Sequence, residues 1–345
     1  MKKILSFLFI LLFIISISGC GKEQKSTAVN KIETVRVAFD DSPSESGIIL
    51  ADKLGFFAKQ GIKIEYVKFN SGADELSAMA SNQVDVSRGI INAGLFNAWN
   101  SGIDIKLVAD GGHNIPGKGY FQIALKKGLG QKVKDFKDLK GLRIAIASTG
   151  SINELFVQKA LEKGGLTDKD ITFVVVDSFP DMLTAVANGS ADAAMEIEPL
   201  ITKGVEENIL EWWKDPDEYI KGEEISVLMY SPNFSKNKDL GNRFMIAYLQ
   251  GVRAYNDAFI TGNKDQDKII RILTKYTFVN TPETFKKMKP PGLDPNGHVL
   301  KQGVLNDLNW YMSKGMVKKA PDVNKFVDDS YVENALKVLG PYKSP

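Results

Sequence analysis

The apolar and polar positions of this chain switch between two periods. Thr34 to Asp40 (TVRVAFD) alternates at nearly every step, the mark of a strand with one buried face. Asp41-Ser42-Pro43-Ser44 is a turn, after which Leu50, Leu54 and Phe57 fall at helical spacing and Gly61 suits a left-handed cap. Lys63 to Phe69 (KIEYVKF) is a second strand. Ser71 is placed to cap the next helix, with Asp74 as its capping-box partner, and Leu76, Met79 and Ala80 share one helical face. Ser81-Asn82-Gln83 breaks that face, and Val84 to Gly89 opens a third strand. Asn92 to Ser101 reads as a helix and Ile103 to Asp110 as a fourth strand. Strands alternating with helices predict a mostly parallel sheet with helices on both faces.

Gly111 to Gly119 holds four glycines and a proline, which predicts a loop or a crossing between lobes. A strand at Tyr120 to Leu125 follows, then Arg143 to Ala147 (RIAIA), ending in Ser148-Thr149-Gly150-Ser151. Ser151 and Glu154 have capping-box spacing, and Gly164-Gly165 stops the helix they begin. Thr172 to Val176 is a strand, Pro180 to Asn188 a helix and Ala191 to Glu196 a strand. Ile225 to Ser231 reads as a return to the first lobe. Beyond Asn233 the pattern is helical, with Phe244, Tyr248, Gly251, Tyr255 and Phe259 as a core stripe. Leu305 to Met312 and Ser330 to Leu339 are expected to be closing helices on the first lobe.

One stretch is written twice. Ser71, Asp74, Leu76, Ala78, Ala80 and Asp85 recur without a gap, 107 residues on, as Ser178, Asp181, Leu183, Ala185, Ala187 and Asp192. Six identities in fifteen positions exceed the roughly one expected from average usage. Two lobes on one strand–helix–strand plan are the simplest meaning.

The N-terminus bears on compartment. Met1-Lys2-Lys3 is basic, and Ile4 to Ser18 is an apolar run too short for a membrane span of about 20 residues. Ile17-Ser18-Gly19-Cys20 resembles the lipobox of bacterial lipoproteins, which implies cleavage before Cys20 and lipidation of its thiol. Residues 1–19 are thus read as a signal peptide and 20–33 as lipidated cysteine and flexible tether. Without the leader, 42 basic and 42 acidic residues remain, a balance that argues against nucleic acid as partner. Cys20 is the only cysteine, so no disulfide framework is available. His113 and His298 lie far apart, and no metal or cofactor is expected.

Several segments together resemble one family. Gly55-Phe56-Phe57-Ala58-Lys59-Gln60-Gly61 is similar to the "GFFAxxG" signature of solute-binding proteins of ABC importers for nitrate, sulfonates, taurine and thiamine-precursor pyrimidines. Phe69 to Asp85 carries that family's "FxSGxxxLxAxAxxxxD" pattern, and Asp138 to Ala145 resembles its "DLKGKxIA". Asn188 to Ala194, followed by Glu198-Pro199, resembles its "NGxxDAA…EP". The similarity runs in order from about residue 34 to 200. It implies an α/β, two-lobed class II periplasmic-binding-protein fold, with mixed, mostly parallel sheets and a ligand cleft between lobes. Lobe I is expected over 34–114 plus 228–345, and lobe II over 115–227. It also implies a lipid-anchored extracytoplasmic monomer that closes about a hinge on a small molecule and delivers it to a permease and its ATPase.

Ligands of open α/β sheets sit beyond the carboxyl ends of the strands. On that rule the first lobe offers Asp40, Asp41, Ser42, Asn70, Ser71, Arg88, Asn92 and His113. The second offers Ser148, Thr149, Gly150, Ser151, Ser178, Phe179 and Glu196. Helix N-termini at Ser71, Ser151 and Ser178 suit a carboxylate, sulfonate or carbonyl. Asp40, Asp41 and Glu196 suit a heteroaromatic or amine ligand whose N–H groups need acceptors, while Arg88 is either an anion clamp or half of a structural ion pair. Asp85 and Asp192, at strand beginnings, are expected to fix turns. No catalytic triad or phosphate loop is present in the sequence, and transport without turnover is the expected function. A ligand-sensing receptor subunit is the alternative. An enzyme of the thiamine-pyrimidine-synthase or desulfinase type is a further one, weakened because those chemistries use a cysteine and Cys20 is committed to the anchor.

Overall fold

The computed structural model describes residues 32–69, 72–262, 265–278 and 281–343. The leader, Cys20, most of the tether, Asn70 and the cap expected at Ser71 lie outside the described residues. The strands in chain order are β1 (Glu33–Phe39), β2 (Ile62–Lys68), β3 (Val86–Ile90), β4 (Lys106–His113) and β5 (Phe121–Lys126). They continue as β6 (Arg143–Ile146), β7 (Thr172–Val175), β8 (Ala193–Ile197), β9 (Leu210–Glu211) and β10 (Glu224–Tyr230). Two sheets result, ordered β2-β1-β3-β10-β4 and β7-β6-β8-β5-β9.

In the first sheet β2 and β3 each pair in parallel with β1 between them, and in the second β7 and β8 do so with β6. β10 pairs antiparallel with both β3 and β4, and β5 with both β8 and β9. These are the first strands after each passage of the chain between sheets, and each enters its new sheet from the opposite end. The return passage runs from Glu211 to Glu224. The boundary expected between residues 227 and 228 therefore falls inside β10, all of which belongs to the first sheet. The loop expected from Gly111 also starts later, because β4 continues to His113. A Cβ on Gly111 would stand 2.9 Å from the Val227 backbone, so this glycine serves close strand packing.

The helices are α1 (Ser46–Lys53), α2 (Phe56–Lys59), α3 (Gly72–Ala80), α4 (Ala93–Asn100), α5 (Ile152–Lys163) and α6 (Phe179–Ala187). After them come α7 (Leu200–Glu206), α8 (Lys238–Phe259), α9 (Gln266–Tyr276), α10 (Pro282–Lys287), α11 (Lys301–Ser313) and α12 (Ser330–Leu339). The one helix expected through Leu50, Leu54 and Phe57 is two, broken where Gly55 takes φ +79°. The α8 stripe is core: Phe244, Tyr248 and Tyr255 are buried. α8 approaches α1 so closely that a Cβ on Gly251 would lie 2.1 Å from the Gly47 carbonyl oxygen. α11 does more than close the first lobe. It packs against α4, α5 and β10, with the Tyr311 hydroxyl 3.4 Å from the Ile91 carbonyl.

The repeat seen in sequence extends to a pair of ion pins. Arg36 on β1 grips Asp85 through Nε–Oδ2 at 3.0 Å and Nη2–Oδ1 at 2.7 Å, and its backbone N–H donates to the same carboxylate at 2.9 Å. Arg143 on β6 grips Asp192 in the same way, at 3.0, 2.7 and 3.0 Å. Each pin ties the first strand of a unit to the turn that feeds its third. Asp85 and Asp192 thus hold turns, as expected of them.

Planar bidentate contacts are worth more than ordinary surface pairs. Asp85→Ala should lower the unfolding free energy by about 1–3 kcal/mol at pH 7 in urea titration. Hydrogen bonds from Arg143 hold the Asp192 carboxyl below its ordinary range. Its stabilisation is therefore complete above the ordinary aspartate pKa of about 3.9 and is lost as pH falls through the lower folded value. Asp192→Asn should flatten the acid limb of the stability–pH curve; an unchanged limb would remove this role.

Candidate functional site

A cavity of about 990 Å³ opens between the two sheets. From the first lobe it receives Asp40, Asp41, Ser42, Arg88 and Asn92, and from the second Ser148, Thr149, Gly150, Ser151, Ser178 and Phe179. All of these are residues the strand-end rule singles out. Asn70 and Ser71 lie outside the described residues.

Arg88 on β3 is buried, with a relative exposure of 6%. Its Nε meets Glu45 Oε1 at 3.2 Å and its Nη1 donates to Ser226 Oγ at 2.7 Å. Its Nη2 reaches Ser42 Oγ at 3.2 Å and Asp40 Oδ2 at 3.5 Å. Every nitrogen of the guanidinium thus has a partner in its own lobe. Burial alone would weaken its charged form, but the charges of Glu45 and Asp40 more than offset this and raise its pKa. Burial drives the Glu45 carboxyl well above its usual range, against the opposing pull of Arg88. Arg88 is therefore a structural ion-pair residue with one edge on the cavity.

Glu75 lines the cavity and was not singled out by sequence reasoning. It stands in the first turn of α3 and accepts the Ser87 hydroxyl. Burial pushes its carboxyl up to about 7, opposed by that hydrogen bond. An acid beside the apolar stripe of Leu76 and Met79, at a helix start facing the cleft, is the signal that could have found it. The apolar walls were also missed: Phe39, Phe69, Leu76, Met229, Phe278 and Met316 line the cavity. Phe278 arrives because its N–H donates to the Asp41 carbonyl at 3.0 Å, while Asp41 holds φ +60°. Met229, Phe278 and Met316 come from chain far downstream, so no local pattern marks them.

The far wall is the turn after β6. Gly150 takes φ +65°, and its N–H donates to Glu154 Oε2 at 2.8 Å. Ser151 Oγ donates to the Ser148 carbonyl at 2.7 Å. The capping box expected of Ser151 and Glu154 does not form; the serine faces back into its own turn and the acid takes the glycine amide instead. The lobes touch here: Asn92 and Ser151 form an antiparallel bridge, and Ala93 N–H lies 3.4 Å from the Gly150 carbonyl. Asn92 also caps α4 by accepting the Leu95 N–H at 3.0 Å. At α6, Ser178 Oγ accepts the Asp181 N–H at 3.2 Å and donates to its carboxylate at 2.6 Å. Phe179 stands edge-on to Phe121, ring centroids 6.4 Å apart.

Two expected ligand residues lie elsewhere. His113, at the end of β4, bonds Asp110 through Nδ1 at 3.2 Å and pairs through its backbone with Gly292. Burial would lower its pKa, but the Asp110 charge raises it on balance. It belongs to the crossing between the lobes, because β4 runs three residues beyond its expected end. Glu196 sits inside β8 opposite Gln122, fully buried, with Oε1 accepting the Ile197 N–H at 3.0 Å. Burial pushes it well above the carboxylate range. It lies in the core because β8 does not end there; Ile197 extends the strand. Trp99 is packing: it stacks on Phe326 at 4.4 Å and donates its indole N–H to the Ile105 carbonyl. Among the described residues, no group of three or more His, Cys, Asp or Glu could hold a metal ion. No helix among them is long and apolar enough to cross a membrane.

Comparison with known proteins bears on this geometry. A Bacillus subtilis (strain 168) protein, provisionally named an aliphatic sulfonates-binding protein, is 24% identical over 347 residues, covering 98% of both chains. The fold is similar to that of the crystallised periplasmic aliphatic sulphonate binding protein SsuA of Escherichia coli. The TM-score is 0.69 at 17% identity, over 86% of this chain and 92% of that one. The desulfurization enzyme DSZB shares the fold too, with TM-score 0.62 at 13% identity, over 89% of this chain and 99% of that one. The two-sheet architecture is thus a periplasmic-binding-protein fold, shared by binders and at least one enzyme. A family model described as NMT1/THI5 like matches residues 42–257, more than half of the sequence, and the chain belongs to that family.

Proposed function

We propose that this chain is the extracytoplasmic solute-binding component of an ABC importer, capturing a small metabolite by closure of two lobes and presenting it to a permease. The observation that carries the reading is the cavity of about 990 Å³, walled by helix starts and strand ends of both sheets. Such a volume is that of a small-molecule site. The passages His113 to Phe121 and Glu211 to Glu224 join the lobes, and they are the natural hinge. The relative from Bacillus subtilis is named as a sulfonates-binding protein, which supports a binding role. Binding without turnover fits the lining, whose one arginine is engaged within its own lobe. We further read Cys20 as the lipidated N-terminus of the mature protein, anchored on the outer face of the membrane as a monomer.

Native mass spectrometry of the purified protein should show one small molecule bound per chain, and deletion of its gene should abolish uptake of that molecule. A deletion strain with unimpaired uptake would refute the importer role. Cys20→Ser should move the protein from the membrane to the soluble extracytoplasmic fraction; retention at the membrane would contradict the anchor. Asn92→Ala should remove the α4 cap, lowering stability by about 1 kcal/mol in urea titration. Because Asn92 also bridges to Ser151, it should in addition weaken ligand binding, and unaltered affinity would count against closure through this contact.

A further inference from the structure

We propose that the cavity selects an organic cation, a protonated amine or amidine carried on a hydrocarbon body, over a sulfonate or other anion of similar shape. The inference rests on the reading of the cavity as a solute-binding site and specifies its ligand class.

The charge on the cavity wall points this way. Among the described residues of its lining, Asp40, Asp41, Glu75 and Asp177 reach the cavity against one base, Arg88. Four of the five N–H groups of Arg88 are turned to Glu45, Ser226, Ser42 and Asp40, so it offers an oxyanion at most one. Asp41 pairs with Lys68 and Asp40 reaches Arg88 at 3.5 Å, which leaves Glu75 and Asp177 as the wall acids facing no base among the described residues. The Asp40 side chain keeps 44% of its surface exposed.

The helix starts of α4, α5 and α6 are partly capped from within. Asn92 takes an amide of the α4 start, Glu154 takes the Gly150 amide before α5, and Ser178 takes an amide of α6. Acids stand in the first turns of α3, α5 and α6, where they offset the positive end of each helix. An entering sulfonate would meet these carboxylates, and helix starts that each have one amide already taken. An entering ammonium would find acceptors at Asp40 and Glu75, and its hydrocarbon part would lie against Phe39, Phe69, Leu76 and Met229.

Glu75 gives the site a proton signature. The charged groups around it are Asp40 and Asp41 past β1, Glu45 before α1, Arg88 on β3, and Asp177 across the cleft. Its carboxyl, raised to about 7, is partly protonated at neutral pH. A bound cation favours the ionised form, so binding near pH 7 releases protons.

The test is calorimetric titration of the full-length protein, in a non-ionic detergent, with benzylammonium, benzyl alcohol and phenylmethanesulfonate. Benzylammonium should bind most tightly, and its heat should vary between buffers of different ionisation enthalpy as proton release requires. Glu75→Gln and Asp40→Asn should each weaken it by roughly tenfold to a hundredfold, the worth of a hydrogen bond to a charged group, while leaving benzyl alcohol little changed. Tighter binding of phenylmethanesulfonate, no binding by any of the three, or indifference of benzylammonium to both substitutions would overturn the proposal. One-to-one binding of phenylmethanesulfonate would overturn the cation assignment alone and leave the solute-binding role standing, which the uptake experiment judges separately.

Discussion

A guanidinium withdrawn from water must be met by charge and by acceptors on every side, and the first lobe is arranged to do this for Arg88. The demand draws together the end of β1, the approach to α1, the middle of β3 and the strand β10 returning from the other sheet. Gly111 is bare because its neighbours are the Val227 backbone and the stem of Arg88. A buried pair of this kind adds little net stability, but losing one partner is expensive, which makes it a device for holding one arrangement. Here that arrangement includes the floor of the cavity. Because Glu45 answers Arg88 from behind, the acids on the cavity wall outnumber the bases that face them, and the cavity is left acidic.

The two lobes repeat a frame and differ in chemistry. Arg36–Asp85 and Arg143–Asp192 make the same contacts at the same chain spacing, on the side of each sheet away from the cleft. On the cleft side the lobes diverge. The first brings Asp40, Glu75 and Arg88, while the second brings a short hydroxyl-rich turn and Phe179. A duplicated scaffold can keep its pins while each cleft face varies, because the pins and the ligand lie at opposite ends of the strands.

Much of this frame is legible along the chain. The alternation of strands and helices survives in the structure because period-two and period-four patterns report directly on which face is buried. The echo between Ser71–Asp85 and Ser178–Asp192 marks the two units, although its extension to Arg36 and Arg143 goes unnoticed. An arginine on a strand gives no local sign that it will meet an acid forty-nine residues away. Strand ends are less legible, and both misplaced residues follow from that. His113 and Glu196 are expected at or past strand ends, yet β4 runs on to close at His113, in the crossing, and β8 runs one residue past Glu196, which leaves it in the core.

The sequence by itself determined the two-unit α/β plan, the family, and the turns that face the cleft, because those depend on periodicity and short motifs. Only the tertiary structure decided what that cleft is made of. It turned Arg88 inward to Glu45, moved Glu154 from a helix cap to a glycine amide, and brought Met229, Phe278 and Met316 into the same cavity wall as Phe39. The reason is physical: the charge and shape of a cavity are sums over groups that meet only in three dimensions, and a side chain's partner, more than its type, fixes whether its charge is available to a ligand.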